Sequence, residues 1–199
     1  MQTVDFTAMK DGTKEEYLLL QPLEESHLKG TADRVIRELR HQEEETLPGY
    51  KITRLQHGLQ AATRAEAEGA DIDWIVAAVL HDIGDGLAPQ NHDQFAAEIL
   101  RPFMREEVVW TVAHHGVFQM YYYAHHYGWN QHARETYNTS PYYQSCIDFC
   151  ERWDQSSFDP AYATKSLDHF IPMIHDVFAR KAYAPEVILK GVVIGLPKP

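Results

Sequence analysis

The chain has 199 residues, 44% hydrophobic and 24% charged, which is the composition of one globular domain and excludes disordered, collagen-like and coiled-coil polymers. A chain of this length buries roughly 70% of the surface its unfolded form exposes, so it needs no disulfide or metal staple in order to fold. Lys plus Arg (18) against Asp plus Glu (29) gives a net charge of −11, which repels phosphodiester backbones and makes nucleic acid an unexpected partner.

The opening MQTVDFTAMKDGTKEEY lacks the basic-then-apolar layout of a signal peptide, and no later run has the length of a membrane span, so a cytoplasmic location without membrane contact is expected. The first thirty residues are charged and mixed. Residues 32–45 have helical spacing through Val35, Ile36 and Leu39, ending before the breaker Leu47-Pro48-Gly49. A division follows into an N-terminal helical extension (1–48), a main domain (49–184) and a tail (185–199).

Ile52, Leu55, Leu59 and Ala62 predict a helix over 51–68, closed by Gly69. Asp71 or Asp73 can cap the next one, whose residues 74–80 are apolar all round and therefore central. That helix ends at His81-Asp82-Ile83-Gly84. Further helices are expected over 92–100 and 105–115, the latter stopped by Gly116. Residues 117–143 are rich in aromatics, among them Phe118, Tyr121, Tyr122, Tyr123, Tyr127 and Trp129. They read as helix, loop and helix, forming either a pocket wall or plain core. Cys146 and Cys150, four apart in one predicted helix, read as reduced, buried thiols. The tail could be a strand or a strap. With strand alternation nearly absent, the fold class is all-α.

The unusual number is twelve histidines, imidazole being the commonest metal ligand. Helical segments deliver metal-capable side chains near their ends: His57, the dyad His81-Asp82, His92, then His114 or His115, and Asp154. Val108, Val112 and His115 share one apolar face, whereas His114 lies with Trp110, so His115 is the expected ligand. Asp154 continues the line of Tyr143, Ile147 and Cys150 and points inward with them. A buried carboxylate such as Asp82, following seven apolar residues, has to be compensated. Four imidazoles and two carboxylates suit two ions sharing Asp82 as a bridge, and so nitrogen-rich a set favours iron, with manganese or cobalt as alternatives, over magnesium or calcium. His125, His126 and His132 belong to no such pattern.

A histidine, then His-Asp twenty-four residues on at the end of an apolar helix, then further His and Asp at helix ends, resembles the HD-domain metalloenzyme superfamily. The resemblance runs from about residue 49 to 159 and implies a single HD-domain helical bundle with a buried metal centre. Within that superfamily, His57-Gly-Leu-Gln60-Ala-Ala, His81-Asp82-Ile-Gly84 and His92-Asp-Gln-Phe resemble myo-inositol oxygenase. The segment from Gly49 to His57 resembles the di-iron dioxygenase that acts on aminohydroxyethylphosphonate. This branch implies two iron ions in a mixed-valence pair, held by His57, His81, Asp82, His92, His115 and Asp154, with O2 and a small hydroxylated molecule as co-substrates.

The departures are informative. Asp85, Gln119 and Glu151 stand where those oxygenases carry lysine, histidine or arginine, which argues against a phosphonate; Asp85, Glu151 and the Tyr121-Tyr122-Tyr123 run favour instead a polar or cationic molecule such as an amino alcohol, through carboxylate pairing and cation–π contact. Asp82, Tyr50 and Asp85 are the expected catalytic residues, and Gln119, Tyr122, Glu151 and Arg54 the expected substrate contacts. Leu47 and Tyr50 replace the family's tyrosine and glutamate lid pair, leaving Tyr50 as a lid in changed geometry. Two rival readings stand beside this one. The first is an HD phosphohydrolase with Arg54, Arg64 or Arg152 as the cation on phosphate; the second is a non-catalytic HD module with a structural metal. The oligomeric state is unmarked.

Overall fold

The computed structural model describes residues 2–44 and 49–198. Among these residues there are nine α-helices and no strand. The expected end of the second helix at Glu45, and the positions of Leu47 and Pro48, lie outside the described residues.

Helix α1 (Lys14–Lys29) starts at a capping box in which Thr13 and Glu16 satisfy each other's backbone N–H groups, and it buries no residue. Helix α2 (Thr31–His41) turns Ala32, Val35, Ile36 and Leu39 into the core and packs on α8. Residues 31–44 thus build the main core rather than standing apart from it. Helix α3 (Arg54–Ala67) begins three residues later than its periodicity predicts, because Thr53 and Gln56 form a second capping box that sets the start. Asp71, not Asp73, caps α4 (Ile72–Leu80), accepting from the N–H groups of Asp73 and Trp74.

Helix α4 is the axis of the bundle, and every residue from Asp73 to Leu80 is buried. Helix α3 approaches it closely because position 58 is glycine: a Cβ there would sit 2.6 Å from the Val79 carbonyl. Helices α5 (His92–Leu100) and α6 (Glu106–Tyr123) pack on each other, and α6 also packs on α4 and α7.

The expected stop of α6 at Gly116 is corrected, since the helix continues for seven more residues. Glycine inside a helix costs only about 1 kcal/mol, and nothing at positions 117–123 supplies a competing turn. A Cβ at Gly116 would lie 3.4 Å from the Asp93 carboxylate, so the glycine admits α5 to this face.

Beyond α6 the aromatic segment folds into short 3-10 turns (Ala124–Tyr127 and Ala133–Tyr137), leading into α7 (Tyr143–Phe149) and a π-helical turn, Cys150–Asp154. Both cysteines are free thiols and buried. Helix α8 (Leu167–Phe178) is not picked out by the sequence reading, because Pro172 interrupts an otherwise amphipathic pattern. After the short α9 (Pro185–Ile188) the tail is a strap, not a strand. Its Gly195 carbonyl accepts from Trp74 Nε1 at 3.0 Å and its Pro197 carbonyl from Arg152 at 2.7 Å. No helix among the described residues is long and apolar enough to cross a membrane.

Candidate metal centre

Four histidines and two aspartates from α3, the α4 terminus, α5, α6 and the π turn converge at one end of α4. His57 faces inward from the first turn of α3, and its Nδ1 donates to the Ser157 carbonyl at 2.8 Å. His81 Nδ1 donates to Ala78 O at 2.8 Å, and His115 Nδ1 to Val112 O at 2.7 Å. Each of these bonds places the ring proton on Nδ1 and leaves Nε2 as a lone pair aimed at the interior.

The lone pairs meet. His57 Nε2 is 3.1 Å from His81 Nε2, and Asp154 Oδ1 lies 3.0 Å from the first and 3.5 Å from the second. Asp154 Oδ2 is buried and has no hydrogen-bond partner among the described residues. Three acceptors facing one point repel one another unless a cation or protons stand between them, so the donor set itself fits a bound metal ion.

Asp82 divides its carboxylate between two such points. Its Oδ2 faces His57 at 3.5 Å and His81 at 3.7 Å, whereas its Oδ1 faces His115 at 3.2 Å and His92 at 3.3 Å. His57, His81 and Asp154 form one group able to hold an ion; His81, Asp82 and His115, and then Asp82, Asp85 and His92, form overlapping neighbours. Gly84 makes the last approach possible, since a Cβ there would meet His92 Cα at 2.9 Å.

The electrostatics agree with this geometry. Burial alone would depress the His57, His81 and His115 imidazoles, but the Asp82 and Asp154 carboxylates outweigh it and hold all three above their usual pKa. Burial would raise Asp82 and Asp154, and the surrounding imidazoles instead hold both below the usual carboxylate range.

His114 stacks on Trp110 at 4.0 Å and takes no part, as the helical phase predicts. Other expectations need correction. Asp85 does not present a free carboxylate to substrate: it pairs with Arg54 Nε and lies 3.2 Å from His92 Nδ1. Arg54 also donates to Asp82 Oδ2 at 3.1 Å, so its guanidinium is spent on the two acids. Arg64 donates to Ser156 O and lies over the Tyr162 ring, while Arg152 pairs with Glu68 and the tail, so neither reaches the centre. Glu151 is exposed and does not line the adjoining cavity. Gln119 and Tyr122 do line it, together with Tyr50. Burial pushes the Tyr122 phenol up to about 12 and keeps it protonated.

The sequence reading missed three supports. Gln42 donates to the Asp82 carbonyl at 2.9 Å from the end of α2, with no motif to announce it. Ser157 acts through its main chain, which carries no side-chain signal. Phe158 stacks on His57 at 4.4 Å, and its proximity to Asp154 is the only hint of that role.

The family model described as HD domain matches residues 54–149. The match supports the HD-domain metalloenzyme superfamily. It spans the HD dyad, His57, His92 and His115, and stops short of Asp154, which the structure brings to the same centre. No curated protein matches the chain.

Proposed function

We propose that this HD-domain protein is a di-iron oxygenase that uses O2 to cleave a C–H and then a C–C or C–heteroatom bond of a small, polar, hydroxylated metabolite. The observation that carries the reading is the division of Asp82, one oxygen toward His57 and His81 and the other toward His92 and His115. On this reading His57, His81 and Asp154 would hold one ion and His92 and His115 the other, with Asp82 contributing to both. Two iron ions bound there would supply redox capacity and a Lewis-acidic anchor for a substrate hydroxyl.

The chain's own residues do the rest. The three Nδ1–carbonyl bonds fix the imidazoles in one tautomer. Arg54 balances the charge of Asp82 and Asp85. Phe158 and Tyr50 shield His57 from water, and Tyr122 offers a phenolic O–H to substrate.

The rival phosphohydrolase draws support from Arg54, whose guanidinium reaches Asp82 at the centre. That cation is already divided between two carboxylates, and phosphoryl transfer needs one free to meet developing charge. Anaerobic loading with iron followed by partial oxidation is expected to give a mixed-valence paramagnetic resonance signal that candidate hydroxylated substrates shift. A single tightly held manganese with nucleotide hydrolysis would replace this reading with the rival.

A further inference from the structure

A basin of about 500 Å³ adjoins the centre, walled by Tyr50, Tyr122, Tyr123, Tyr127, Trp129 and Phe158, with the amides of Gln119 and Gln155 completing its lining. Tyr50 and Phe158 also wall a small cleft lined by His57 and Arg54, so these two rings stand between the basin and the metal-capable residues. Its volume falls within the usual range for small-molecule sites.

Its aromatic wall is built, not incidental. Gly128, at φ 73°, takes the left-handed turn that lets the chain double back after Tyr127. Tyr127 and Trp129 then stack with centroids 4.9 Å apart, and Tyr123 meets Tyr127 edge-on at 6.2 Å. Tyr50 and Phe158 close the opposite side at 5.5 Å. Yet Tyr127 and Trp129 remain 66% and 56% exposed, an apolar patch with rings preorganised around open space.

Among the described residues lining the basin there is no lysine, arginine or carboxylate. The guanidinium of Arg54 lies 5.8 Å from the Tyr50 ring centroid but is held by Asp82 and Asp85, so it is not free to meet an anionic group in the basin. A positive group finds several π faces, two amide dipoles and the field of a chain of net charge −11.

We infer that this aromatic basin binds an organic ammonium group of the substrate, methylated or primary, and holds the remainder of the molecule toward His57. The inference rests on the proposed function only in treating the bound molecule as substrate; the cation preference stands on the basin alone. Of the two contacts the sequence suggested for a cation, carboxylate pairing by Asp85 or Glu151 falls away, and the aromatic contact is carried by Tyr123, Tyr127 and Trp129 in place of Tyr121.

The test is calorimetric titration of the full-length protein with choline, with 3,3-dimethylbutan-1-ol as its neutral isostere, and with inorganic phosphate. Choline is expected to bind at least tenfold more tightly than the neutral alcohol, and phosphate not to compete. Trp129→Ala is expected to weaken choline about tenfold and Trp129→Phe by less, since indole is the strongest cation–π face. Trp129 is exposed enough that neither change threatens the fold. Equal affinity for the two isosteres, absence of choline binding, or stronger binding of phosphate overturns the inference. Both alcohols carry the same hydroxyl, so any metal contribution cancels in their ratio. Tenfold cation preference without the paramagnetic signal removes the oxygenase reading alone, and the signal without the preference removes this inference alone.

Discussion

Two clusters of buried charge lie in the same bundle and solve the same problem differently. At one end of α4, Asp73 meets Arg105 at 3.2 Å and Arg180 at 2.6 Å. Beside it the fully buried Glu107 accepts from Ser145 Oγ at 2.6 Å and from the Ile194 and Gly195 N–H groups of the tail. Every acid there has a cation or donor supplied by the chain. At the other end, Asp82 and Asp154 are just as buried but are surrounded by imidazoles whose remaining protons already point at backbone carbonyls. The first cluster is complete as folded. In the second the chain supplies one cation, Arg54, to Asp82 and none to Asp154, whose Oδ2 has no partner among the described residues, and that contrast separates a structural ion network from a metal centre more sharply than burial or pKa direction does.

The largest test of the contrast is Asp82→Ala. It is expected to cost at least one bound metal ion per chain by elemental analysis, and full retention of two ions would remove the bridging role. Next, Glu107→Ala removes one of the three acids around Arg105, which keeps Asp71 and Asp73, and leaves Ser145 Oγ and two tail N–H groups without their acceptor. It should lower unfolding free energy by about 3–5 kcal/mol in urea titration while leaving metal content unchanged. Loss of metal in that variant would show that the two clusters are not independent.

Asp85→Asn weakens the tether between Arg54 and His92. It is expected to reduce metal affinity at the His92 side by about 10–100-fold in chelator competition, leaving the His57 side intact.

The smallest effect concerns pH. In chelator-stripped protein the raised imidazoles contribute stability below their ordinary value of 6.5, which is lost as pH rises through the higher folded-state value. The depressed carboxylates contribute above their ordinary 3.8, and that share is lost as pH falls through the lower folded-state value. Stripped protein should therefore be most stable between those two values. Metal ligation instead needs deprotonated Nε2, so the difference in melting temperature between loaded and stripped protein should widen as pH rises through the raised imidazole range. A constant difference would place the histidines outside the metal's first contacts.

Much of this was legible in the chain because local physics and tertiary structure agree there. The apolar run 74–80 has no solvent face to offer, so it had to be central, and a charged residue at its end had to be compensated. His115 could be chosen over its neighbour because 3.6-residue periodicity puts it on the face of Val108 and Val112. Gly116 misled because a glycine inside a helix and one ending it look alike until a partner helix is seen to fill the space. Asp85 and Glu151 misled for a related reason. A carboxylate's sequence neighbours do not reveal which guanidinium it will meet, and Asp85 meets one thirty-one positions away.

The sequence by itself determined the helical class, the central helix and the residue types able to grip a metal, since these follow from periodicity, capping chemistry and the cost of burying charge. Only the tertiary structure decided that Asp82 turns one oxygen to each pair of histidines, that Arg54 is spent on two acids, and that six rings from separate segments enclose a basin beside His57. Those are relations between atoms distant in sequence, fixed by how helices pack and by where two glycines, Gly58 and Gly84, allow backbones to approach.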